Sequence, residues 1–162
     1  MPDNMTPEQR SRTMSRIRHA DTKPELAVRR LLFARGLRYK KCCSQLPGKP
    51  DLVFATAKVV VFIDGDFWHG WRFEEWAHKL TSDYWKNKIT RNRLRDSHNQ
   101  QLLEQSGWHV IRIWEHEVEA DPVCCADRVE VAVRRQSLPT NARSNRSMKK
   151  STCARRARNF SS

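Results

Sequence analysis

Two β-branched runs, Asp51–Ala55 and Lys58–Ile63, lie so few residues apart that a hairpin is the connection their spacing predicts. A lone hairpin is marginal in water, so the rest of the chain must supply strands and helices to cover it. Upstream, Thr6-Pro7-Glu8-Gln9 places a cap, a first-turn proline and a glutamine at the third helical position, which predicts a helix to about Arg18. Thr22-Lys23-Pro24-Glu25 repeats the device before LAVRRLLFAR, a helix stopped at Gly36. A short strand near Arg38–Cys42 precedes the hairpin. Downstream the pattern predicts a helix over Ser82–Gln105 ended by Ser106-Gly107, a strand Trp108–Trp114 and a last helix near Ala126–Arg135. The order α, α, β, β, β, α, β, α describes an α/β domain, a small mixed sheet flanked by helices. No internal repeat is present.

Charge narrows the partners. Across 162 residues, 31 Lys and Arg face 18 Asp and Glu, a formal net charge of +13. Such a balance favours a polyanion, nucleic acid first and an anionic membrane surface second. The excess is uneven: from Ser137 onward Arg143, Arg146, Lys149, Lys150, Arg155, Arg156 and Arg158 meet no acid, so +7 of the total lies there. We expect residues 1–136 to form the domain and 137–162 to be a disordered basic tail, which either adds phosphate affinity or has no task. No apolar run approaches the roughly 20 residues of a membrane span, and MPDNMTPEQRSR lacks the apolar region of a secretion signal, with Met5 an alternative start. The cysteines are Cys42, Cys43, Cys124, Cys125 and Cys153. Two adjacent pairs and an odd residue suit neither a disulfide framework nor zinc, and are expected to be reduced thiols in a cytoplasmic protein.

Several residues could carry chemistry. Asp51 heads one hairpin strand and Asp64 ends the other, so both fall at one sheet edge. Two close carboxylates repel unless a cation or proton separates them, which suits a divalent metal. Taken singly, each reads better as a turn residue, Asp51 after Gly48-Lys49-Pro50 and Asp64 before Gly65. After Gly65 comes Asp66-Phe67-Trp68-His69-Gly70-Trp71, whose aromatics either plug the core or form a wedge that stacks on bases, with His69 near the carboxylates. On the long helix, Trp85, Ile89, Asn92, Asp96, Asn99 and Leu103 share one stripe with a polar middle, which needs partners if buried. Its other sides carry Lys86, Lys88, Arg91, Arg93 and Arg95, either phosphate contacts or a solvated basic face. Glu25 has two readings: the acid of a capping box with Thr22, or a carboxylate aimed inward across the sheet edge.

PGKPDLVF, VVVFIDGDFWHG, NRLRDSHNQQLLEQSGW and VIRIWE, with the N-terminal RSRTMSRIRHADTKPE, resemble the very short patch repair (Vsr) DNA mismatch endonucleases over about Thr6 to Gln136. The resemblance implies a restriction-endonuclease-like (PD-(D/E)xK) fold and nicking 5′ of the T in a T:G mismatch left by 5-methylcytosine deamination. By matched position it implies Asp51 as the principal Mg²⁺ ligand, helped by the Ile63 backbone carbonyl. His69 would be the general base, and Asp96 and Glu25 would support waters of the metal or the histidine. Phe67 and Trp68 would wedge beside the mismatch, with Met14 entering from the other groove. It further implies a bacterial, nucleoid-associated monomer that cooperates with a MutL-type repair factor. A T:G wobble stacks weakly and is cheaper to open than a matched pair, so deformability adds selectivity.

Two departures from the family pattern stand out. Well-known members hold a structural zinc where this chain reads Asp66, Trp71, Phe73 and His116, so zinc is expected to be absent and replaced by packing of Trp71 and Phe73. Asp64 stands where those members carry a histidine, which makes it a candidate second metal ligand. Two rivals to the mismatch reading remain: a restriction-like nuclease of other specificity, and a non-catalytic basic DNA-binding protein, which leaves Asp51, Asp64, His69 and Asp96 unexplained.

Overall fold

A computed structural model describes residues 21–41, 43–80 and 83–137, together with Thr6, Glu8, Gln9 and Arg12. At the N-terminal device the Thr6 N–H donates to Gln9 Oε1 at 3.0 Å and the Gln9 N–H to Thr6 Oγ1 at 3.3 Å, the reciprocal pair expected there. The remainder of the segment expected to be helical to about Arg18, Met14 included, and the residues beyond Ser137 lie outside the described residues.

Helix α1 spans Lys23–Ala34, with proline in its first turn and Gly36 at φ +79° just past its end. There the Leu37 N–H reaches back to the Leu32 carbonyl at 3.1 Å, a closure that the left-handed glycine permits. The strands follow as β1 Lys40–Lys41, β2 Leu52–Phe54, β3 Val59–Asp64 and β4 His109–Trp114, in that order across one sheet. β2 and β3 form the expected antiparallel hairpin, Leu52 opposite Val61 and Phe54 opposite Val59. β4 runs parallel to β3, from Val59 beside His109 to Asp64 beside Trp114.

Between β3 and β4 the chain makes a short helix α2 (Phe73–Trp76), a 3₁₀ turn (Ala77–Lys79) and the long helix α3 (Asp83–Gln105). After β4 come α4 (Glu115–Ala120) and α5 (Pro122–Ser137). The last helix therefore starts four residues before the expected Ala126. The cause is local: Pro122 suits a first turn, and Asp121 Oδ1 accepts the Cys124 N–H at 2.9 Å. α2 and α4 are too short to announce themselves by periodicity.

Alternation along β3 buries both of its faces. Val59 and Val61 join Ile111, Ile113, Val28, Leu32 and Val129 beneath α1 and α5. Val60 and Phe62 join Val53 and Leu103 beneath α3. Helices thus cover both faces of the sheet, and the C-terminal end of β3 opens between α1 and α3. Among the described residues no helix is long and apolar enough to cross a membrane.

Candidate active site

Asp51 is anchored to β3 twice. Its N–H donates to the Val61 carbonyl at 3.0 Å, and its Oδ2 accepts the Ile63 N–H at 2.7 Å. The N–H and carbonyl of one strand residue share an edge, so the Ile63 carbonyl projects past the end of β2 on the Asp51 side. Burial pushes the Asp51 carboxyl up to about 6 against the Ile63 N–H that lowers it, and the charges of Glu25 and Asp64 add to the rise.

Asp64, at the end of β3, is 3% exposed. Its Oδ2 accepts from Arg112 Nε at 2.6 Å, and its Oδ1 lies 3.5 Å from His69 Nδ1. The loop that carries His69 folds on itself, with the His69 N–H on the Gly65 carbonyl at 3.1 Å and the Trp71 N–H on the Asp66 carbonyl at 2.9 Å. α3 then fixes the loop from outside. Asn92 Nδ2 donates to the Trp68 carbonyl at 3.0 Å, and His69 Nδ1 lies 2.6 Å from Asp96 Oδ2. Asn92 and Asp96 of the α3 stripe thus find their partners in this loop, while Asn99 lines the cavity.

For Asp96, burial would raise the carboxyl, but the hydrogen bond and charge of His69, then Arg112 and Arg95, hold it below the usual range. An ionised carboxylate only accepts, so Nδ1 carries the hydrogen and Nε2 is left as the ring's acceptor. Burial would pull His69 down, but the bond to Asp96 and the charges of Asp64 and Asp96 keep it above its ordinary value.

Glu25 takes its inward reading: the Thr22 side chain makes no cap hydrogen bond to the helix, so the expected reciprocal capping box is not formed. Glu25 is 3% exposed, accepts the Thr22 hydroxyl and the Asp21 N–H at 3.0 Å each, and takes Arg29 Nη2 at 2.8 Å. It also lines the same cavity as Asp51, Asp64 and His69, about 780 Å³ in volume. Its contacts are to Thr22, Asp21 and Arg29 rather than to the imidazole. Trp68, Lys88 and Asn92 line the cavity too.

Phe67 stays 39% exposed at the rim, its ring 4.9 Å from Trp68, 5.6 Å from Trp76 and 5.9 Å from Trp85. Trp76 went unnoticed in the sequence, and nothing in its spacing marks it. Arg112 was missed as well, although a signal existed. In the apolar strand HVIRIW it falls beside Phe62, on the face that carries Asp64. Asp66, Trp71 and His116, which stand at positions where the resemblance implies zinc, also meet here: Asp66 Oδ1 lies 2.8 Å from His116 Nδ1, and the Trp71 ring lies 4.7 Å from His116 and 5.0 Å from Trp114.

A divalent metal fits the Asp51 corner. Among the described residues no three His, Cys, Asp or Glu converge into a ready-made cage. Mg²⁺ does not need one, since it binds through one or two carboxylates, waters and substrate phosphates. Asp51 is a desolvated carboxylate whose nearby arginines are committed elsewhere, Arg112 to Asp64 and Arg29 to Glu25. Hard oxygens short of a counter-charge suit a hard cation.

A family model described as DNA mismatch endonuclease Vsr matches residues 2–75. The type II nicking enzyme V.NmeDIP of Neisseria meningitidis serogroup C is 42% identical over 134 residues, 82% of this chain and 90% of the relative. The type II nicking enzyme V.HpaIIP of Haemophilus parainfluenzae is 40% identical over 123 residues, 74% and 87% of the two chains. DNA mismatch endonuclease Vsr of Escherichia coli is 34% identical over 107 residues, 65% and 69%. The chain belongs to the Vsr family and is a DNA-nicking endonuclease, a hydrolase of the phosphodiester bond.

Proposed function

We propose that the protein nicks duplex DNA by Mg²⁺-dependent hydrolysis at a site of its own specificity, as the relatives named type II nicking enzymes suggest. His69 is the general base, and Asp51 with the Ile63 carbonyl holds the metal. The observation that carries this reading is the 2.6 Å contact between His69 Nδ1 and Asp96 in the cavity that Asp51 lines. When bound, Mg²⁺ supplies positive charge against the charge that builds on the phosphate. Asp96 holds the imidazole in the tautomer whose Nε2 accepts a proton from the attacking water. Asp64 and Glu25, each bound to an arginine, shape the acidic wall of the cavity. The family implies a restriction-endonuclease-like fold for the sheet, which we adopt.

A second reading gives T:G mismatches as the target. It is favoured by the exposed Phe67 and its ring partners, suited to prying a weakened pair; the family resemblance would add Met14 as a second wedge. We also propose that the Asp66–His116 pair and the Trp71 stack tie the histidine loop to α4 without zinc. Stoichiometric zinc in purified protein is incompatible with that assignment.

One panel tests the whole. T:G duplexes and matched duplexes of varied sequence are incubated with Mg²⁺ or with chelator, and the strands are resolved under denaturing conditions. Asp51→Ala should lower nicking by orders of magnitude while duplex binding survives. Nicking confined to T:G duplexes supports the second reading; nicking of matched sites supports the first. Nicking that persists in chelator overturns the metal assignment.

A further inference from the structure

Two carboxylates approach one imidazole hydrogen in this site, and only one can take it. Asp96 Oδ2 is 2.6 Å from His69 Nδ1, and Asp64 Oδ1 is 3.5 Å from the same atom. They arrive on different elements, Asp96 on α3 and Asp64 at the end of β3. Nothing in the hairpin alone decides between them. Arg112, on β4, stands between the two. Its Nε binds Asp64 Oδ2 at 2.6 Å, and its Nη2 lies 3.6 Å from Asp96 Oδ2.

From this arrangement we infer that Arg112 is a positioning residue for the reaction, which fixes the spacing of Asp64 and Asp96 and so assigns the His69 Nδ1 hydrogen to Asp96.

Arg112 is itself well placed for this. Its guanidinium carbon lies 5.2 Å from the centre of the Phe62 ring, and its backbone carbonyl accepts Arg128 Nη2 at 3.1 Å. The side chain is only 23% exposed, against 4% for Asp64 and 14% for Asp96. A guanidinium is a rigid planar fork that can face two carboxylates at once; an ammonium is a single point charge and cannot hold the same spacing. If Asp64 were released, it could compete for the Nδ1 hydrogen. The ring would then tilt and Nε2 would leave the line of attack, a displacement of the kind that costs about a hundredfold in rate.

The inference rests on the proposed role of His69, so His69→Ala is measured alongside. Full-length variants are compared by single-turnover nicking and by duplex binding without metal, on whichever duplex the parent cuts. Arg112→Gln should slow nicking about tenfold or more while affinity stays within about threefold. Adding Asp64→Asn to that variant weakens the competing acceptor and should recover about threefold or more of the loss. Arg112→Lys, which keeps the charge and guards against a failure to fold, should also nick several-fold more slowly than the parent at equal affinity. An unchanged rate in Arg112→Lys overturns the inference, as does a rate loss matched by lost affinity or the absence of any recovery in the double variant. Parent-level nicking by His69→Ala overturns the underlying base assignment instead.

Discussion

At Asp51, burial outweighs the hydrogen bond from Ile63, and the carboxyl rises from 3.8 to about 6. The sign follows directly. The folded state holds this proton more tightly than the unfolded state, so metal-free protein loses stability as pH climbs between those values, by about 3 kcal/mol at most. Asp51→Asn keeps an oxygen for the Ile63 N–H and removes the charge. Its melting temperature at pH 7 in chelator should exceed the parent's, although nicking is lost. An equal or lower melting temperature contradicts a strained carboxylate. His69 is raised too, so its linkage has the same sign, and the neutral base accumulates at higher pH than in an ordinary histidine. In Asp96→Asn the imidazole should titrate lower by NMR in metal-free protein, and residual nicking should be much slower. An imidazole titration that does not move contradicts the Asp96 contact.

Among the elements, α3 carries the site and is seated by its two apolar ends, Ile89 and Leu103, both fully buried. Asn92, Asp96 and Asn99 are held between them. Leu103→Ala should cost roughly 2–5 kcal/mol in urea unfolding. It should also weaken nicking, because Asp96 rides on the same helix. The histidine loop has its own restraint at Gly70, with φ +68° and a site for a Cβ only 2.8 Å from Arg93 Cδ and 2.9 Å from Ile89 Cγ2. Gly70→Ala should therefore cost about 1–2 kcal/mol from backbone strain alone, with a further cost from pressing on Ile89. Thermal melts and nicking should both show the loss, and a silent substitution would refute the close approach.

Over the whole molecule, the charge of +13 is divided between a domain with a committed acidic cavity and a C-terminal stretch carrying +7 with no acid. Truncation after Gln136 should lower duplex affinity and flatten its salt dependence, by about 0.9 in log–log slope for each phosphate contact removed. Unchanged binding assigns the tail no task at the DNA. The hairpin, the long helix and the strand that follows it were legible in the chain because each has its own period and bounding turns, and local sterics read those without distant help; that this strand runs parallel to β3 was not. The stripe of α3 was legible for the same reason. The short helices α2 and α4, and the start of α5 at Pro122, were not foreseen, since a single turn leaves little periodicity and its caps lie in neighbouring loops. Asp51, Asp64, His69 and Asp96 could be listed from the residues and the family they resemble. The pairing at the imidazole could not: Asp96 on α3, Asp64 on β3 and Arg112 on β4 meet only in the fold, whereas the Glu25–Arg29 pair lies four residues apart on α1 and was within reach of spacing. The sequence by itself determined where the long helices and the main strands form, because these follow from period and local caps. Only the tertiary structure decided who bonds to whom at the site, because side chains brought together from four elements compete at distances that no spacing along one chain can set.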